Sequence, residues 1–265
     1  MRIFKFLFLF ALMAVLVLIS GCTEPGELRT ESHSTDVGDA KSVHALIRMG
    51  AGDLELSGGS EQLLTSTFTY NADPLRPEIE YEVTDESGRL VVRQSDVSGS
   101  INRGNFRNEW KLRFNNDVPL LLGFEFGAGN GNLELGSLNL AGMELQMGAG
   151  NVQMNLSGSR ALTNLSLEMG VGDAVVDLRG DWEHDLDARI KGGVGSLTLR
   201  LPETTGVRIK VKGGVGEIRT GDLKKDGDAY VNEAYGSSDV TLDIEVEGGV
   251  GKVFLETGGI KGGEI

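Results

Sequence analysis

The sequence predicts an all-β fold, a single-chain β-solenoid with coils of about 22 residues that is capped by an N-terminal antiparallel β region. Three observations predict it. A glycine triplet, Gly-Ala-Gly or Gly-Val-Gly, recurs at nearly constant spacing. Apolar and polar residues alternate on both sides of each triplet. Long amphipathic helical patterns are absent beyond the N-terminal segment 1–21.

The glycine triplets supply the repeat. They occupy residues 50–52, 127–129, 148–150, 170–172, 193–195, 214–216 and 249–251. The first glycines of the four central triplets are at positions 148, 170, 193 and 214, which gives a spacing of about 22 residues. A period in this range is typical of solenoids, in which each unit buries its apolar face against its neighbours.

The alternating segments around each triplet predict strands. Val152, Met154 and Leu156 follow one triplet, and Leu165, Leu167 and Met169 precede the next. Apolar residues at a period of two indicate a strand with one buried face. Glycine permits a tight corner with a positive φ. Each unit is therefore predicted as a strand, a glycine corner, a second strand and a second corner.

Two other interpretations of the glycines fit less well. A dinucleotide-binding GxGxxG loop needs a third glycine and a following helix, whereas the segment 127–132 has asparagine at that position and precedes a strand pattern. Calcium-binding nonapeptide repeats have a period of nine, and here the residue after the triplet varies, for example Asn130, Ser196 and Lys252. We therefore predict no cofactor.

The N-terminal segment 1–22 predicts secretion and lipid attachment. Two basic residues precede an apolar run, Phe6–Ile19, which fits a signal peptide and is short for a membrane-spanning helix. The tetrad Ile-Ser-Gly-Cys at 19–22 resembles a bacterial lipobox, which implies cleavage between Gly21 and Cys22 and a diacylglycerol on the Cys22 thiol. The alternative is an uncleaved signal anchor with an idle cysteine. Cys22 is the only cysteine, so no intramolecular disulfide can form.

The predicted chain has five parts. They are a signal peptide at 1–21, a flexible polar tether at 22–40, an N-terminal β region at 41–126, the solenoid at 127–258 and a tail at 259–265. Asp85–Gly88 is a predicted hairpin turn, and 219–239 is a predicted excursion loop. The lipid implies a membrane-anchored, extracytoplasmic protein. In a Gram-negative cell, Thr23 after the cysteine implies the outer membrane; otherwise the protein would lie on the outer face of the cell membrane.

The charge of the chain excludes some partners. It has 25 basic and 39 acidic residues, a net charge of −14. Without the segment 1–21, which holds two basic and no acidic residues, the charge is 23 − 39 = −16. Such a protein is not expected to bind nucleic acid or anionic lipid. The sequence also has no HExxH or GxSxG motif, and we predict no catalytic residue and no metal site.

A basic band is the candidate binding site. Alignment of the strands that precede the triplets places five outward basic residues on two neighbouring coils: Arg189, Lys191, Arg208, Lys210 and Lys212. One interpretation is a site for an anionic polymer such as an acidic glycan or teichoic acid. The other is a ladder of salt bridges with the acidic residues of the next coil, each contributing a few tenths of a kcal/mol.

Three other polar or aromatic features have structural interpretations. The segment 181–185, Asp-Trp-Glu-His-Asp, is dense in possible metal ligands, but in register it is a corner with Trp182 as an apolar filler. His33 and His44 accompany no recognisable nucleophile motif. Trp110 lies in an alternating strand and is predicted to be in the core.

Several segments resemble the toast-rack family of bacterial envelope proteins, which is related to the C-terminal domains of LiaF-type cell-wall stress proteins and to adhesin-like proteins. The resemblance is carried by residues 49–59, 68–71 and 230–236 and by the Gly-Val-Gly series, and it covers about residues 42–258. It implies a non-enzymatic surface β-domain without transferable catalytic residues.

The predicted function is a lipid-anchored, non-catalytic surface module of adhesin-like type, with an envelope polymer or a protein as partner. One alternative is an envelope-stress regulatory protein or a structural spacer. The membrane helices of LiaF-type proteins are missing from this sequence, which weakens the regulatory alternative. A further alternative is a polysaccharide-active β-helix enzyme, which would need carboxylates clustered in one groove.

Overall fold

The computed structural model describes residues 25–95, 105–159 and 161–258. Within them, fourteen strands form one open sheet, which confirms the predicted all-β solenoid. Seven long strands make the body: β2 (Ser42–Ser57), β7 (Leu120–Glu134), β8 (Leu140–Asn155), β9 (Asn164–Asp177), β10 (Leu186–Leu201), β11 (Gly206–Arg219) and β14 (Thr241–Thr257).

The other elements lie at the two ends of this body. They are β1 (Arg29–Thr35), β3 (Leu64–Tyr70), β4 (Pro77–Thr84), β5 (Ser87–Gln94), β6 (Asn108–Phe114), β12 (Lys224–Asp226), β13 (Ala229–Val231) and a one-turn 3-10 helix at Asp73–Leu75. The predicted hairpin turn is confirmed, because Asp85 and Glu86 join β4 to β5 with positive φ values of 50° and 64°.

Each long strand has a glycine triplet in its middle, so the predicted pair of strands is one continuous strand with a corner. We call the part before the triplet the first arm and the part after it the second arm. In β8, Leu145 and Met147 are buried before the triplet, and Val152 and Met154 are buried after it. The buried positions thus change from odd to even numbers at the corner. The corner turns both arms toward one shared apolar core.

The second glycine of each triplet, its third residue, is required by the close approach of neighbouring backbones. In the stack, Gly172 has a φ of 138°, a region that side chains disfavour. A Cβ placed there would lie 1.7 Å from the carbonyl oxygen of Gly150 on the neighbouring strand. Stacked corners therefore need glycine for both conformation and space.

The order of the long strands differs from their order in the sequence. The parallel stack runs β2, β7, β8, β9, β10, β14, β11, so the last strand of the chain lies between β10 and β11. β10 pairs with β14 on the side away from β9, and β11 pairs with the opposite edge of β14. The segment 219–239, predicted as an excursion loop, contains the β12–β13 hairpin. It also gives the chain enough length for β14 to return and lie between β10 and β11.

Two antiparallel extensions of the sheet, β4–β5 and β1–β3–β6, cap the β2 end of the stack. β5 pairs with the first arm of β2 and with β4, and β6 pairs with the second arm and with β3. The predicted N-terminal antiparallel region is therefore present, but its boundary at residue 126 is wrong. β2 and β7 are complete members of the parallel stack, and residue 126 lies within β7.

The predicted flexible tether at 22–40 is also wrong in part. Arg29–Thr35 forms β1, which pairs antiparallel with β3 along its whole length. Its side chains make polar cross-strand contacts, such as the Thr30 and Thr69 hydroxyls at 3.2 Å. The Tyr70 hydroxyl donates to the Glu31 carboxylate at 2.6 Å. Because these contacts are polar, the segment lacks the apolar alternation that identifies the other strands.

Candidate interaction surfaces

The basic band does not form on neighbouring strands. β10 carries Arg189 and Lys191, and β11 carries Lys210 and Lys212, but β14 lies between them and places Glu245 and Glu247 in the same rows. In the rows, Arg189, Glu245 and Lys210 alternate in sign, as do Lys191, Glu247 and Lys212. The expectation of a contiguous basic patch is therefore wrong, because the threading of β14 inserts an acidic strand.

Three of the five basic residues of the band form ion pairs. The Arg208 guanidinium lies 2.9 Å from the Asp243 carboxylate, and Lys210 Nζ lies 3.1 Å from the Asp228 carboxylate. Lys212 pairs with Glu245. The hydrogen bond from Lys212 lowers the pKa of Glu245 and raises the pKa of Lys212 itself. The pairs of Arg208 and Lys212 with β14 fit the salt-bridge ladder, whereas Asp228, the partner of Lys210, lies in the β12–β13 turn.

A second polar surface lies on the outer side of the second arms. The residue after each triplet points outward, and from β2 to β10 these residues are Asp53, Asn130, Asn151, Asp173 and Ser196. Asn130 Nδ2 donates to Asp53 Oδ1 at 2.9 Å, and Asn151 Nδ2 donates to Asn130 Oδ1 at 3.3 Å. Neighbouring coils are thus linked through these side chains.

The same row continues by contacts between side chains and backbone. The Asp173 amide donates to Asn151 Oδ1 at 3.3 Å, and the Ser196 amide donates to Asp173 Oδ1 at 2.9 Å. The row is therefore one hydrogen-bonded ladder across five coils. Such a ladder holds each side chain in a defined position at the spacing of the strands, about 4.8 Å.

A second outward row runs parallel to the ladder, two residues further along each strand. It contains Glu55, Asn132, Gln153 and Val175. We call the two rows together the amide face. A groove of about 760 Å³ follows them, and Leu54, Gly131, Val152, Glu109 and Lys111 are among the other residues that line it. Side-chain amides both donate and accept hydrogen bonds, so this groove matches a ligand whose groups do the same.

A small apolar pocket lies inside the corners of the last three strands. In the first four strands of the stack, a large side chain fills the position before the triplet: Met49, Phe126, Met147 or Met169. The aligned residues of β10, β14 and β11 are Gly192, Gly248 and Gly213. Because glycine has no side chain to fill these three positions, a pocket of about 80 Å³ remains. Its lining includes the apolar residues Ile190, Leu197, Val211 and Val246.

The cluster at 181–185 is a corner, as its register predicts. Trp182 is buried, and its indole nitrogen donates to the Leu178 carbonyl at 2.7 Å. Trp110 is fully buried in the N-terminal cap, which confirms its core assignment. Within the described parts of the chain, no three His, Cys, Asp or Glu side chains converge as a metal site would require.

The two histidines of the N-terminal part lie apart from each other. His33 is on β1 and contacts the Phe68 ring at a centroid distance of 5.9 Å. His44 is on the outer side of the first arm of β2 and is aligned with Leu121.

The predicted lipid site, Gly21 and Cys22, lies outside the described residues, as do the signal peptide and the tail at 259–265. Across residues 25–95, 105–159 and 161–258, no helix has the length and apolar character needed to cross a membrane.

Sequence reasoning missed the amide face. The position after the triplet varies in residue type, which argues against a calcium repeat. The signal for the face is that these residues share one chemistry over five coils, since all carry a short side chain with an oxygen that can accept a hydrogen bond.

A known structure shows the same architecture. A putative cell adhesion protein from Clostridium sporogenes is 28% identical, with a TM-score of 0.69, over 88% of this chain and 100% of that one. A putative adhesin from Bacteroides fragilis is 14% identical with a TM-score of 0.28, over 87% of this chain and 99% of that one. No curated protein matches the chain.

The family comparison gives the assignment. Residues 24–163 and 160–200 match the family described as the N-terminal domain of toast_rack, DUF2154. These matches span most of the stack and the whole N-terminal cap, which agrees with the resemblance in the sequence. The chain belongs to the toast_rack N-terminal domain family.

Proposed function

We propose that this protein is an adhesin-like, extracytoplasmic surface module that binds a hydroxyl-rich envelope glycan through the amide face. The carrying observation is the ladder that fixes Asp53, Asn130, Asn151 and Asp173 in one row beside a groove of about 760 Å³. A sugar hydroxyl both donates and accepts, and so does a side-chain amide. A repeating row of fixed carboxylate and amide groups therefore fits a repeating, hydroxyl-rich chain.

Similarity to the Clostridium sporogenes protein supports an adhesive role, since that protein is described as a putative cell adhesion protein and the two folds correspond over nearly their full lengths. The second row supports binding through side chains that are free to exchange water for ligand. Asn132 and Gln153 are outward-facing and exposed beside the ladder.

Binding is favoured over hydrolysis by the state of the carboxylates in the groove. Asp53 and Asp173 accept hydrogen bonds from the next coil. The other two carboxylates of the groove are paired with cations, Glu55 with Lys111 and Glu109 with Arg107. All four are thus held as acceptors, which does not suit a proton donor. Release of reducing ends from a glycan by the purified protein would reverse this ranking and favour the enzyme alternative.

The first test is co-sedimentation of residues 25–265, which contain every described strand, with isolated peptidoglycan sacculi. The test variant is Asn132→Ala/Gln153→Ala, which removes two amides from the amide face. The matched control is Gln146→Ala/Asn164→Ala, which removes two amides from the outer side of the first arms. We expect about tenfold weaker binding for the test variant and no change for the control. Equal binding by all three proteins would refute the amide face as the site.

Two other candidates predict different results. A site on the basic residues of β10 and β11 would bind less after Arg189→Gln/Lys191→Gln, with the amide variant unchanged. A structural spacer would show no binding by any protein. The alternating signs of the rows in β10, β14 and β11 favour the amide face over the basic residues.

Lipid anchoring is part of the proposal. The apolar run, the lipobox-like tetrad and the single cysteine support a diacylglycerol on Cys22, and two or three acyl chains anchor a protein stably. Expression of the full chain with labelled palmitate tests it. Label should appear in the wild type and disappear in Cys22→Ser; label retained in that variant would contradict attachment at Cys22.

A further inference from the structure

The second arm of β11 is a sheet edge that the described structure leaves uncovered. β13 pairs with Arg208–Lys210 on the first arm of β11, and β14 pairs with both arms from the other side. Among the described residues, no strand pairs with the outer edge of the second arm. Gly216 to Arg219 are all exposed. An open edge of this kind is a template for another strand.

This edge also exposes apolar surface. Ile218 occupies the same inward row as Val253, which is buried, and Leu197. With no coil among the described residues beside it, Ile218 is 41% exposed. The apolar pocket of the last three corners reaches the same edge, because Ile218 and Val211 line it. A strand added here would cover Ile218 and the mouth of the pocket together.

The charges of the edge segment are complementary to those of a second copy of the same segment. Glu217 and Arg219 flank Ile218 and lie on the outer side, 2.7 Å apart at their charged groups. When two such strands pair antiparallel about a twofold axis at Ile218, Glu217 of each copy faces Arg219 of the other, and the two Ile218 side chains meet. Opposite charges at facing positions stabilise an antiparallel pair, and a twofold interface requires this self-complementarity.

We infer that the occupant of this edge is a second copy of the chain, paired antiparallel through Gly216–Arg219. The contact joins two stacks end to end by their open ends and leaves the amide face of each copy on the outside. The inference is independent of the proposed glycan binding, because no residue of either row of the amide face takes part. The pairing segment is short, so we expect a weak dimer with a Kd on the order of 100 µM.

Charge reversal tests the pairing directly by sedimentation equilibrium of residues 25–265. Glu217→Arg places two arginines opposite each other, and Arg219→Glu does the same with two glutamates. Each variant alone should be monomeric, and an equimolar mixture of the two should form a heterodimer, since the facing charges are again opposite. A monomeric wild type at about 500 µM, several times the expected Kd, or single variants that still dimerise, would overturn the inference.

A cysteine variant tests whether the twofold axis of the dimer passes through Ile218. Residues 25–265 contain no cysteine, so Ile218→Cys introduces a single thiol. Facing residues in an antiparallel pair have Cα atoms within disulfide range. Oxidation should yield a covalent dimer in Ile218→Cys and much less in Val171→Cys, whose position is exposed in the middle of the stack. Equal cross-linking of both would contradict pairing at Ile218. Circular dichroism spectra matching the wild type would show that each variant is folded.

Discussion

The two ends of the parallel stack are closed differently. At the β2 end, β5 covers the first arm and β6 covers the second arm. At the β11 end, the β12–β13 hairpin covers the first arm, and the second arm has no described partner on its outer edge. A bent strand presents two edges, one for each arm, so a complete cap needs two sheets. The difference shows that capping is a property of each arm and not of the coil as a whole.

The contents of the core differ in the same way. The β2 end contains Trp110, Phe68 and Phe114, all fully buried, with the Phe68 and Trp110 rings packed edge to face at 5.2 Å. At the β11 end, the position before the triplet is Gly213, which fills no space in the core, and Ile218 remains partly exposed. The β2 end is therefore expected to hold most of the apolar packing energy per strand, and the β11 end the least.

Removal of one apolar side chain at each end should give the largest difference. Trp110→Ala should destabilise the fold by about 3–5 kcal/mol, because it leaves a cavity in a closed core. Its loss also removes the bond from the indole nitrogen to Asn108 Oδ1, 2.9 Å long. Ile218→Ala should cost less than about 1 kcal/mol, since that side chain is already partly in water. Urea unfolding of both variants measures this, and similar losses would refute the difference between the ends.

Replacing each of two glycines near the corners by alanine should give the next largest difference in stability. Gly172→Ala should destabilise by about 3 kcal/mol, because φ is 138° and the new Cβ would meet the Gly150 carbonyl oxygen. Gly248→Ala should be close to neutral, because no atom lies within 4 Å of its Cβ position. Thermal unfolding midpoints check the pair. A neutral Gly172→Ala would show that the corners can separate, and would contradict the close backbone contact at this position.

Acid should weaken the outermost strand of the β2 end. The hydrogen bond from the Tyr70 hydroxyl, with a smaller contribution from the Arg76 charge, lowers the pKa of Glu31 below its ordinary value of 4.5, and burial opposes this. A carboxyl with a lowered pKa stabilises the fold above its unfolded pKa, and that contribution disappears as the pH falls through the folded pKa. The free energy of unfolding of the wild type should therefore exceed that of Glu31→Gln by about 1 kcal/mol at pH 7, and the difference should shrink as the pH falls below 4.5. A difference that does not change between neutral and acid pH would contradict this.

The smallest effect is expected in the charge ladder of the open end. Arg208→Gln removes the pair with Asp243 and should cost about 0.5 kcal/mol or less, because exposed pairs are screened by water and salt. The loss should shrink further in 1 M NaCl. Denaturant unfolding at low and high salt measures both values. A loss several times larger than an exposed pair contributes, above about 2 kcal/mol, would show that the ladder is a structural element of the open end.

Much of the stack could be predicted from the sequence. Alternating residues such as Leu165, Leu167 and Met169 identify strands because burial on one face requires that pattern, and the triplets identify corners because stacked backbones exclude a Cβ. The strand order could not be predicted. The rows align identically whether β11 follows β10 directly or β14 lies between them, so periodicity contains no information on which neighbour each strand takes.

The other features that the sequence did not predict have identifiable physical causes. β1 is held by hydroxyl contacts such as Thr30 with Thr69 and by Tyr70 with Glu31, so it lacks the apolar pattern on which strand prediction depends. The amide face depends on the alignment of single residues from distant coils, such as Asp53 and Asn130, which are 77 positions apart. The prediction of a contiguous basic band is wrong for the same reason as the strand order, because both required β10 and β11 to be neighbours.

Amide hydrogen exchange compares the second arms at the two ends of the stack and so tests whether one end is closed and the other open. The monomeric Glu217→Arg variant should be used, so that no self-pairing covers the edge. We expect amides in residues 53–57, which lie between β6 and β7, to exchange at least about 100-fold more slowly than those in 216–219, because edge strands open locally at little cost. Equal protection of the two segments would contradict the claim that one end of the stack is closed and the other open.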